Sequence, residues 1–305
     1  AASNNSKQSR HTTVVVKSNP TDSVIVDFDQ HGFVFSTTLP QTLLLSDKAQ
    51  TQTYDMDVDV PPTVTSTADW LKATVDGDKL SLEAAENATG HPRYATVTIT
   101  TSNGTTYTSS VTQADFNTDI AGEYYLLDGD SLAAGITYGT MVDFRENKSG
   151  AKELYFPQLA LSMNVTWNDA SSTLTIAGGT PMGPFTLGKA TYYLFADLTT
   201  TDDYVYWSNS VTYSAKIVYD DKSKTTMGEF EDTGTLGEDT QVNGLSIDAF
   251  KANEVSGDNY AGGLLSFGNP VLIKADEESG AKSLRRSAKA FRKAPLKLTR
   301  RGLIK

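Results

Sequence analysis

Along most of the chain, apolar and polar residues alternate in short segments, the pattern of half-buried β-strands. The clearest segment spans residues 50–60. Its apolar set, which we expect to face a core, is Met56, Val58 and Val60, and its outward set is Asp55, Asp57 and Asp59. Turn-forming residues separate such segments at positions 19–22, 76–78 and 102–104. Short strands with turns at this spacing predict a β-sandwich.

The alternation resumes after a short polar link at residues 115–120, which we interpret as a domain boundary. Candidate strands beyond it cover residues 122–127, 139–144, 153–156, 161–167, 174–176, 190–198, 204–207, 211–219, 227–231, 242–250, 262–267 and 271–274. Only residues 245–252 are also compatible with a helix. Strands joined by short hairpins predict an antiparallel β-barrel or a two-sheet sandwich.

These patterns divide the chain into four parts. Residues 1–11 are small and polar and are expected to form a flexible tether. Residues 12–114 form the predicted β-sandwich, residues 119–274 the predicted barrel or sandwich, and residues 275–305 a basic tail. Within the tail, Leu284, Ala288 and Phe291 have helical spacing, so one or two helical turns could precede Pro295. The predicted fold class is all-β.

Charge is distributed unevenly over the 305 residues, whose net charge is −11. The last 25 residues hold ten basic and no acidic residues, which leaves 16 basic against 37 acidic residues elsewhere. An acidic body disfavours nucleic acid and anionic lipid as partners. The tail could bind an anionic glycan or lipopolysaccharide phosphates, dock on the acidic body or on a partner, or be disordered. The chain has no cysteine, which excludes disulfides and thiolate chemistry.

The sequence lacks the residues for several kinds of catalysis. The three histidines are His11, His31 and His91, so residues 119–305 can form neither a Ser-His-Asp triad nor a histidine metal site. Two carboxylates could still hydrolyse a glycoside, but most acids here occupy turns, where they are favoured for local hydrogen bonds. We therefore predict a protein that is not an enzyme and has no catalytic residues and no cofactor.

Two acidic segments are candidate calcium sites. Asp55, Asp57 and Asp59 lie along one strand face, an arrangement too linear to surround an ion, so a solvated face is expected. The segment from Asp128 to Ser131 could bring oxygens together, but an ordinary turn is the preferred interpretation. No metal ligand is predicted.

Aromatic residues provide the candidate binding site. Trp70 and Trp167 are both expected to lie in the cores. The alternation of its strand indicates this for Trp70, and Trp167 shares a strand face with apolar residues. Aromatic rings that remain partly exposed near polar turns are suited to contact the CH-rich faces of sugars. The predicted ligand-binding residues are Tyr204, Tyr206, Trp207, Tyr193 and Tyr138. The alternative is a tyrosine-rich core.

Residues 68–114 resemble the second half of a BACON domain, an Ig-like module common in exported proteins of Bacteroidetes. The resemblance rests on Asp69-Trp70-Leu71, on Asn87 ahead of the strand beginning at Arg93, and on the closing Val111-Thr112-Gln113-Ala114. It extends from near Phe33 to Ala114. More faintly, residues 119–126 resemble the first strand of lipocalin-like barrels, with Tyr124 or Tyr125 in place of the usual tryptophan.

The BACON resemblance implies an exported, carbohydrate-binding or spacer module, often in outer-membrane lipoproteins of surface glycan-uptake systems. A lipid anchor would require a cysteine before Ala1. The expected function is a non-catalytic accessory protein whose second domain binds a glycan or a partner, at the cell surface or the periplasmic face. The alternatives are a structural partner of a TonB-dependent transporter and its lipoprotein lid, or a glycoside hydrolase. No binding residue carries over from the family.

Overall fold

The structure is a computed structural model that describes Asn4 and residues 8–30, 34–202, 204–275 and 296–299. These residues form an all-β protein, as predicted. The chain divides into two compact units, Ala1–Ala88 with Arg93–Gln113, and Thr89–Pro92 with Ala114–Lys305. Within the described part, no helix is long and apolar enough to span a membrane. The helical turns predicted near residues 284–291 lie outside the described residues.

The first unit begins with a β-hairpin of strands β1 (Arg10–Asn19) and β2 (Asp22–Gln30). The predicted turn at residues 19–22 joins them, and the side chain of Asn19 accepts a hydrogen bond from the Thr21 backbone at 2.9 Å. Strand β1 begins at Arg10, two residues inside the predicted tether. The hairpin forms a separate two-stranded sheet with no third strand among the described residues.

The rest of this unit is a sandwich of two four-stranded sheets. Its strands are β3 (Phe35–Thr37), β4 (Thr42–Leu45), β5 (Gln50–Val58), β6 (Thr63–Ser66), β7 (Leu71–Asp76), β8 (Lys79–Ala84), β9 (Arg93–Thr100) and β10 (Thr106–Gln113). One sheet has the order β4-β10-β9-β6 and the other β3-β5-β8-β7. Their inner faces bury one core, which includes Met56, Leu82 and Val97. The predicted alternation in β5 holds through Val58, but Val60 lies beyond the strand and is 47% exposed.

The closing strand of the sandwich is held by a buried amide. Gln113 is 0% exposed and donates to the carbonyl groups of Ser46 and Ala85, at 2.9 and 3.0 Å. Its side-chain oxygen accepts a hydrogen bond from Arg93 at 2.8 Å. The Arg93 guanidinium also lies 4.5 Å from the ring of Trp70, which is half-buried against the core. The residues that carry the BACON resemblance therefore join both sheets of the sandwich.

The second unit starts with a π-helical turn, Phe116–Ile120, and a helix α1 (Gly129–Ala133) follows its first strand. Its strands are β11 (Gly122–Leu127), β12 (Gly139–Glu146), β13 (Lys152–Phe156), β14 (Leu161–Asn164), β15 (Thr166–Asn168), β16 (Thr173–Ala177), β17 (Thr180–Leu187), β18 (Ala190–Thr200), β19 (Val205–Tyr206), β20 (Thr212–Lys216), β21 (Val218–Asp220), β22 (Thr225–Asp232), β23 (Val242–Phe250), β24 (Tyr260–Gly268) and β25 (Val271–Lys274). The helical alternative for residues 245–252 is wrong, because β23 pairs with strands on both sides.

Two sheets enclose the core of this unit. A ten-stranded, nearly closed sheet has the order β14-β13-β12-β11-β25-β22-β20-β16-β15, with β21 beside β22. The smaller sheet has the order β17-β18-β23-β24, with β19 beside β18. Phe116 and Ile120 of the supposed polar link are buried in this core, and Trp167 packs 5.7 Å from the Phe116 ring. Leu296 and Leu298 also pack against it, and Thr299 pairs with Gly263 of β24.

Candidate functional site

The candidate site lies on the outer face of the smaller sheet of the second unit. In β18 and β23, every second residue belongs to the core: Leu194, Ala196, Leu198, Leu245, Ile247 and Ala249. The residues between them point to the opposite face: Tyr193, Phe195, Asp197, Ser246, Asp248 and Phe250. Outer faces of antiparallel sheets are commonly polar and solvated. Here Phe195 is 6% exposed and Phe250 0%, so other groups cover this face.

Aromatic rings surround Phe250. The ring centroids of Phe195, Trp207 and Tyr260 lie 5.2, 5.7 and 5.6 Å from that of Phe250, all in edge-to-face geometry. Tyr193 pairs with Phe250 across the strands and so lies on the same face. Trp207, Tyr260 and Tyr193 are half-buried, whereas Phe250 is enclosed. We call these five residues the aromatic cluster.

Two carboxyl groups are buried on the same face. Asp197 and Asp248 are both 0% exposed and lie diagonally across β18 and β23. Asp197 accepts a hydrogen bond from the backbone of Gly179 at 3.1 Å, and Asp248 accepts one from the hydroxyl of Ser246 at 2.9 Å. We call Asp197 and Asp248 the acid pair.

The surroundings of the acid pair favour the protonated form of Asp197. Burial raises the pKa of Asp197 well above its usual range, and the neighbouring carboxyl group of Asp248 raises it further. An ionised pair would instead place two like charges in a site closed to water, at a high desolvation cost.

The turn between β16 and β17 fits tightly against the segment that carries Trp207. Gly179 has φ +67°, and a Cβ atom there would lie 2.1 Å from the Trp207 carbonyl oxygen. The neighbouring Gly178 is restricted in the same way by the Tyr206 carbonyl oxygen at 2.7 Å. Two glycines therefore let this turn approach both the Trp207 backbone and Asp197.

The predicted binding residues occupy different environments. Trp207 and Tyr193 belong to the aromatic cluster, whereas Tyr206 pairs with Leu198 and packs against the core of the unit. Tyr204 is half-buried at the turn before β19, and its carbonyl oxygen accepts from Thr200. Tyr138 packs against the core, with its ring 6.0 Å from that of Phe267. The structure thus brings together two of the five predicted residues.

Sequence reasoning missed the remaining members of the site. Phe250 ends one strand and Tyr260 begins the next, with a loop between them. Neither residue lies in a sequence motif that would indicate a binding site. Asp197 and Asp248 were available as a signal, because Asp197 is the only polar residue of Leu194–Leu198, and Asp248 is the only charged residue of Leu245–Phe250. An acid within such a run differs from the acids in turns, which accept hydrogen bonds from their own loops.

The two acidic segments that are candidate calcium sites make hydrogen bonds and an ion pair within the protein. Asp128 accepts hydrogen bonds from the backbones of Ser131 and Gly268, and Asp130 accepts one from the Asn269 side chain at 2.8 Å. They therefore cap α1 and tie it to β24, as an ordinary turn would. Asp55 pairs with Lys79. Among the described residues, no group of three His, Cys, Asp or Glu side chains could hold a metal ion.

A depression at the turn between β12 and β13 is lined by Arg145, Glu146, Asn147, Lys148, Ser149 and Glu153. Glu153 is 7% exposed and accepts a hydrogen bond from Arg145 at 2.8 Å. Burial alone would raise the pKa of Glu153, but hydrogen bonds from Arg145 and Ser162 lower it below its usual range. The paired charges satisfy each other, so this depression has the character of a structural ion pair.

Comparison with known proteins identifies one part of the chain. Residues 60–114 match the BACON family, described as a putative binding domain, N-terminal. This confirms the BACON resemblance over those residues, which are less than half of the chain; residues from near Phe33 to 59 lie outside the match. No curated protein matches the chain. The lipocalin resemblance of the second unit is not confirmed.

Among solved structures, a GH5 xyloglucanase from Bacteroides ovatus, in complex with an XXXG heptasaccharide, is similar to part of the chain. The match covers 38% of this chain and 30% of the xyloglucanase chain, with 19% identity and a TM-score of 0.23. The chain therefore corresponds to less than a third of that enzyme, and the likeness carries no argument about activity.

Proposed function

We propose that this chain is a non-catalytic accessory protein whose second unit binds a glycan through the aromatic cluster, while the BACON-like unit serves as its spacer. The observation that carries the proposal is the aromatic cluster itself. It places three half-buried rings, those of Tyr193, Trp207 and Tyr260, on the outer face of a sheet whose core lies on the other side.

The physical basis is the match between ring faces and sugar faces. Aromatic side chains bury a large apolar area and keep few rotatable bonds, so little conformational entropy is lost when a ligand binds. Edge-to-face packing on Phe250 holds Trp207 and Tyr260 in place before binding. Such pre-organised rings favour a ligand with apolar CH faces.

The acid pair supports binding rather than hydrolysis. Glycoside hydrolysis needs two carboxyl groups that flank the scissile bond and reach the substrate. Asp197 and Asp248 are both fully buried, so no sugar can lie between them in this arrangement. Their partners, Gly179 and Ser246, are parts of the same sheet and its turn. We infer that the acid pair shapes the face on which the rings lie.

Affinity electrophoresis or calorimetry with a panel of neutral polysaccharides tests this proposal. We expect at least one polysaccharide to bind, and Trp207→Ala to weaken binding at least tenfold. Tyr155→Ala is the matched control, because Tyr155 is a half-buried ring of the larger sheet, beneath Arg145. If no polysaccharide binds, or if both variants lose affinity equally, the glycan-binding proposal is wrong. Near-ultraviolet circular dichroism verifies that each variant is folded.

We propose in addition that the protein is exported and is attached to the outer membrane by a lipid anchor ahead of the BACON-like unit. There it would act beside a TonB-dependent transporter and its lipoprotein lid. The support is the BACON match, since the family resemblance implies this setting. Fractionation of native membranes and co-purification test the location and the partner. Recovery of the protein in the cytoplasmic fraction would contradict this placement without affecting the glycan-binding test.

A further inference from the structure

The hairpin β1–β2 has two faces of opposite character. Residues paired across the strands share a face, so the register assigns Val14, Val16, Val24, Val26 and Phe28 to one side. We call this side the apolar face. It is unusually open to solvent: its five side chains are between 38% and 62% exposed.

The other face carries the polar contacts of the hairpin. His11 and Asp29 pair across the strands at 2.8 Å, and the Thr13 hydroxyl donates to Asp27 at 2.7 Å. Lys17 also lies on this side by alternation. The two apolar residues here, Val15 and Ile25, form a single pair between polar neighbours. Between Arg10 and Asp22 at its two ends the apolar face carries no charged residue, which marks it as the side that is buried in use.

An isolated two-stranded hairpin is at most marginally stable in water, and an exposed apolar sheet face adds to the cost. No described part of the chain covers the apolar face, as its exposed fractions show. We propose that a second copy of this chain covers it, with the two apolar faces packed against each other about a two-fold axis that runs across the strands.

Charge supports this occupant. By alternation, Arg10 lies at the open end of the apolar face and Asp22 at the turn end, where it accepts a hydrogen bond from Ser18 at 3.0 Å. A two-fold axis across the strands brings the open end of one hairpin over the turn of the other. Arg10 of each copy would then lie near Asp22 of its partner, and the uncharged middle of the face would meet itself.

The area of the apolar face limits the affinity of the proposed dimer. Five partly exposed side chains provide less than the ~800 Å² per partner that a stable interface of standard size buries. We therefore expect a dimer that dissociates on dilution, with a dissociation constant in the micromolar range. This inference is independent of the proposed glycan site, since the hairpin and the aromatic cluster belong to different units.

Sedimentation velocity of the full chain over a range of concentrations tests the proposal. The expected result is a shift from monomer to dimer as concentration rises. Val24→Asp should raise the dissociation constant at least tenfold, whereas Ile25→Asp should leave it within about threefold. Ile25 is the matched control because it is adjacent, 64% exposed against 62% for Val24, and on the opposite face.

A charge exchange tests the geometry without adding charge to the apolar face. Arg10→Asp and Asp22→Arg should each weaken the dimer, and the two changes combined should restore it. A chain that stays monomeric to several hundred micromolar overturns the proposal, as does an equal effect of the Val24 and Ile25 variants. Open polymers would also contradict it, because they would indicate pairing along the free strand edges.

Discussion

Asp197 and Asp248 behave differently from the acids at the surface of this protein because they are fully buried on a sheet face. An acid whose pKa is raised on folding keeps a proton that the unfolded chain has lost. The stability that it supplies is fully present below the unfolded pKa, near 3.9 for aspartate, and is lost as pH rises through the folded value. The acid pair should therefore make the protein less stable as pH rises above about 4.

Asp197→Asn should flatten this pH dependence. The amide nitrogen can donate to Asp248, but the amide does not titrate, so the variant takes up no proton at this position on folding. The slope of the unfolding free energy against pH therefore falls by up to about 1.4 kcal/mol per pH unit. The measurement is the free energy of unfolding in urea at several pH values between 4 and 8. Asp258→Asn, in an exposed loop, is the control and should leave the slope unchanged. Equal slopes for all three proteins would show that the acid pair does not titrate abnormally.

Gln113 has a comparable structural role in the BACON-like unit. Its amide lies in the core at 0% exposure, donates to the carbonyl groups of Ser46 and Ala85, and accepts from the Arg93 guanidinium, so truncation would remove three hydrogen bonds at a buried position. Gln113→Ala should therefore lower the free energy of unfolding by about 1–3 kcal/mol. Gln41→Ala, at an exposed position of the same unit, is expected to change it by less than about 0.5 kcal/mol. Chemical denaturation compares the two, and similar losses would refute the role of the buried amide.

At the scale of elements, the β16–β17 turn controls how closely the Trp207 segment approaches the smaller sheet. Gly179→Ala should cost more than Gly188→Ala, although both glycines have a positive φ, +67° and +65°. Both variants suffer the strain of a left-handed backbone, about 1–2 kcal/mol. Only Gly179 would also bring a Cβ atom against the Trp207 carbonyl oxygen, whereas nothing lies within 4 Å at Gly188.

The melting temperature measures this difference. For a unit of this size, each kcal/mol corresponds to roughly 2–4 °C, so the Gly179 variant should melt several degrees below the Gly188 variant. If the Trp207 segment forms part of the binding face, the Gly179 variant should also bind glycan more weakly. Identical melting curves would indicate that the turn moves freely and that its fit to Trp207 is unimportant.

Some elements follow from the sequence pattern, whereas the role of others in the core does not. The hairpin, strand β5 and the turns at residues 76–78 and 102–104 follow from alternation and turn chemistry, which act locally. The composition of residues 115–120 predicts a polar link, but it does not show that Phe116 and Ile120 reach the core from a π-helical turn. Local composition cannot show which core a flanking segment joins.

At the scale of the molecule, charge limits the ligands that the second unit can accept. Residues 114–275 contain nine basic and 22 acidic residues. Like charges repel over about 10 Å at 0.1 M salt, so we expect the aromatic cluster not to bind a polyuronate, and any retardation in polyuronate gels at low salt to come from the ten basic residues among the last 25. Binding of a neutral polysaccharide should change little between 0.05 and 0.5 M salt. Polyuronate binding at low salt that Trp207→Ala weakens, measured by affinity electrophoresis, would contradict this expectation.

The sequence by itself determined the all-β class, the position of the hairpin and the BACON-like strands, because alternation and turn residues act over a few neighbouring positions. It also excluded cysteine chemistry and, after residue 119, histidine chemistry. Only the tertiary structure decided which side chains meet. Asp197 and Asp248 pair because β18 lies beside β23, and Trp207 reaches Phe250 because a turn with two glycines lets its segment approach the sheet. Such contacts join residues more than 40 positions apart, where no local pattern records them.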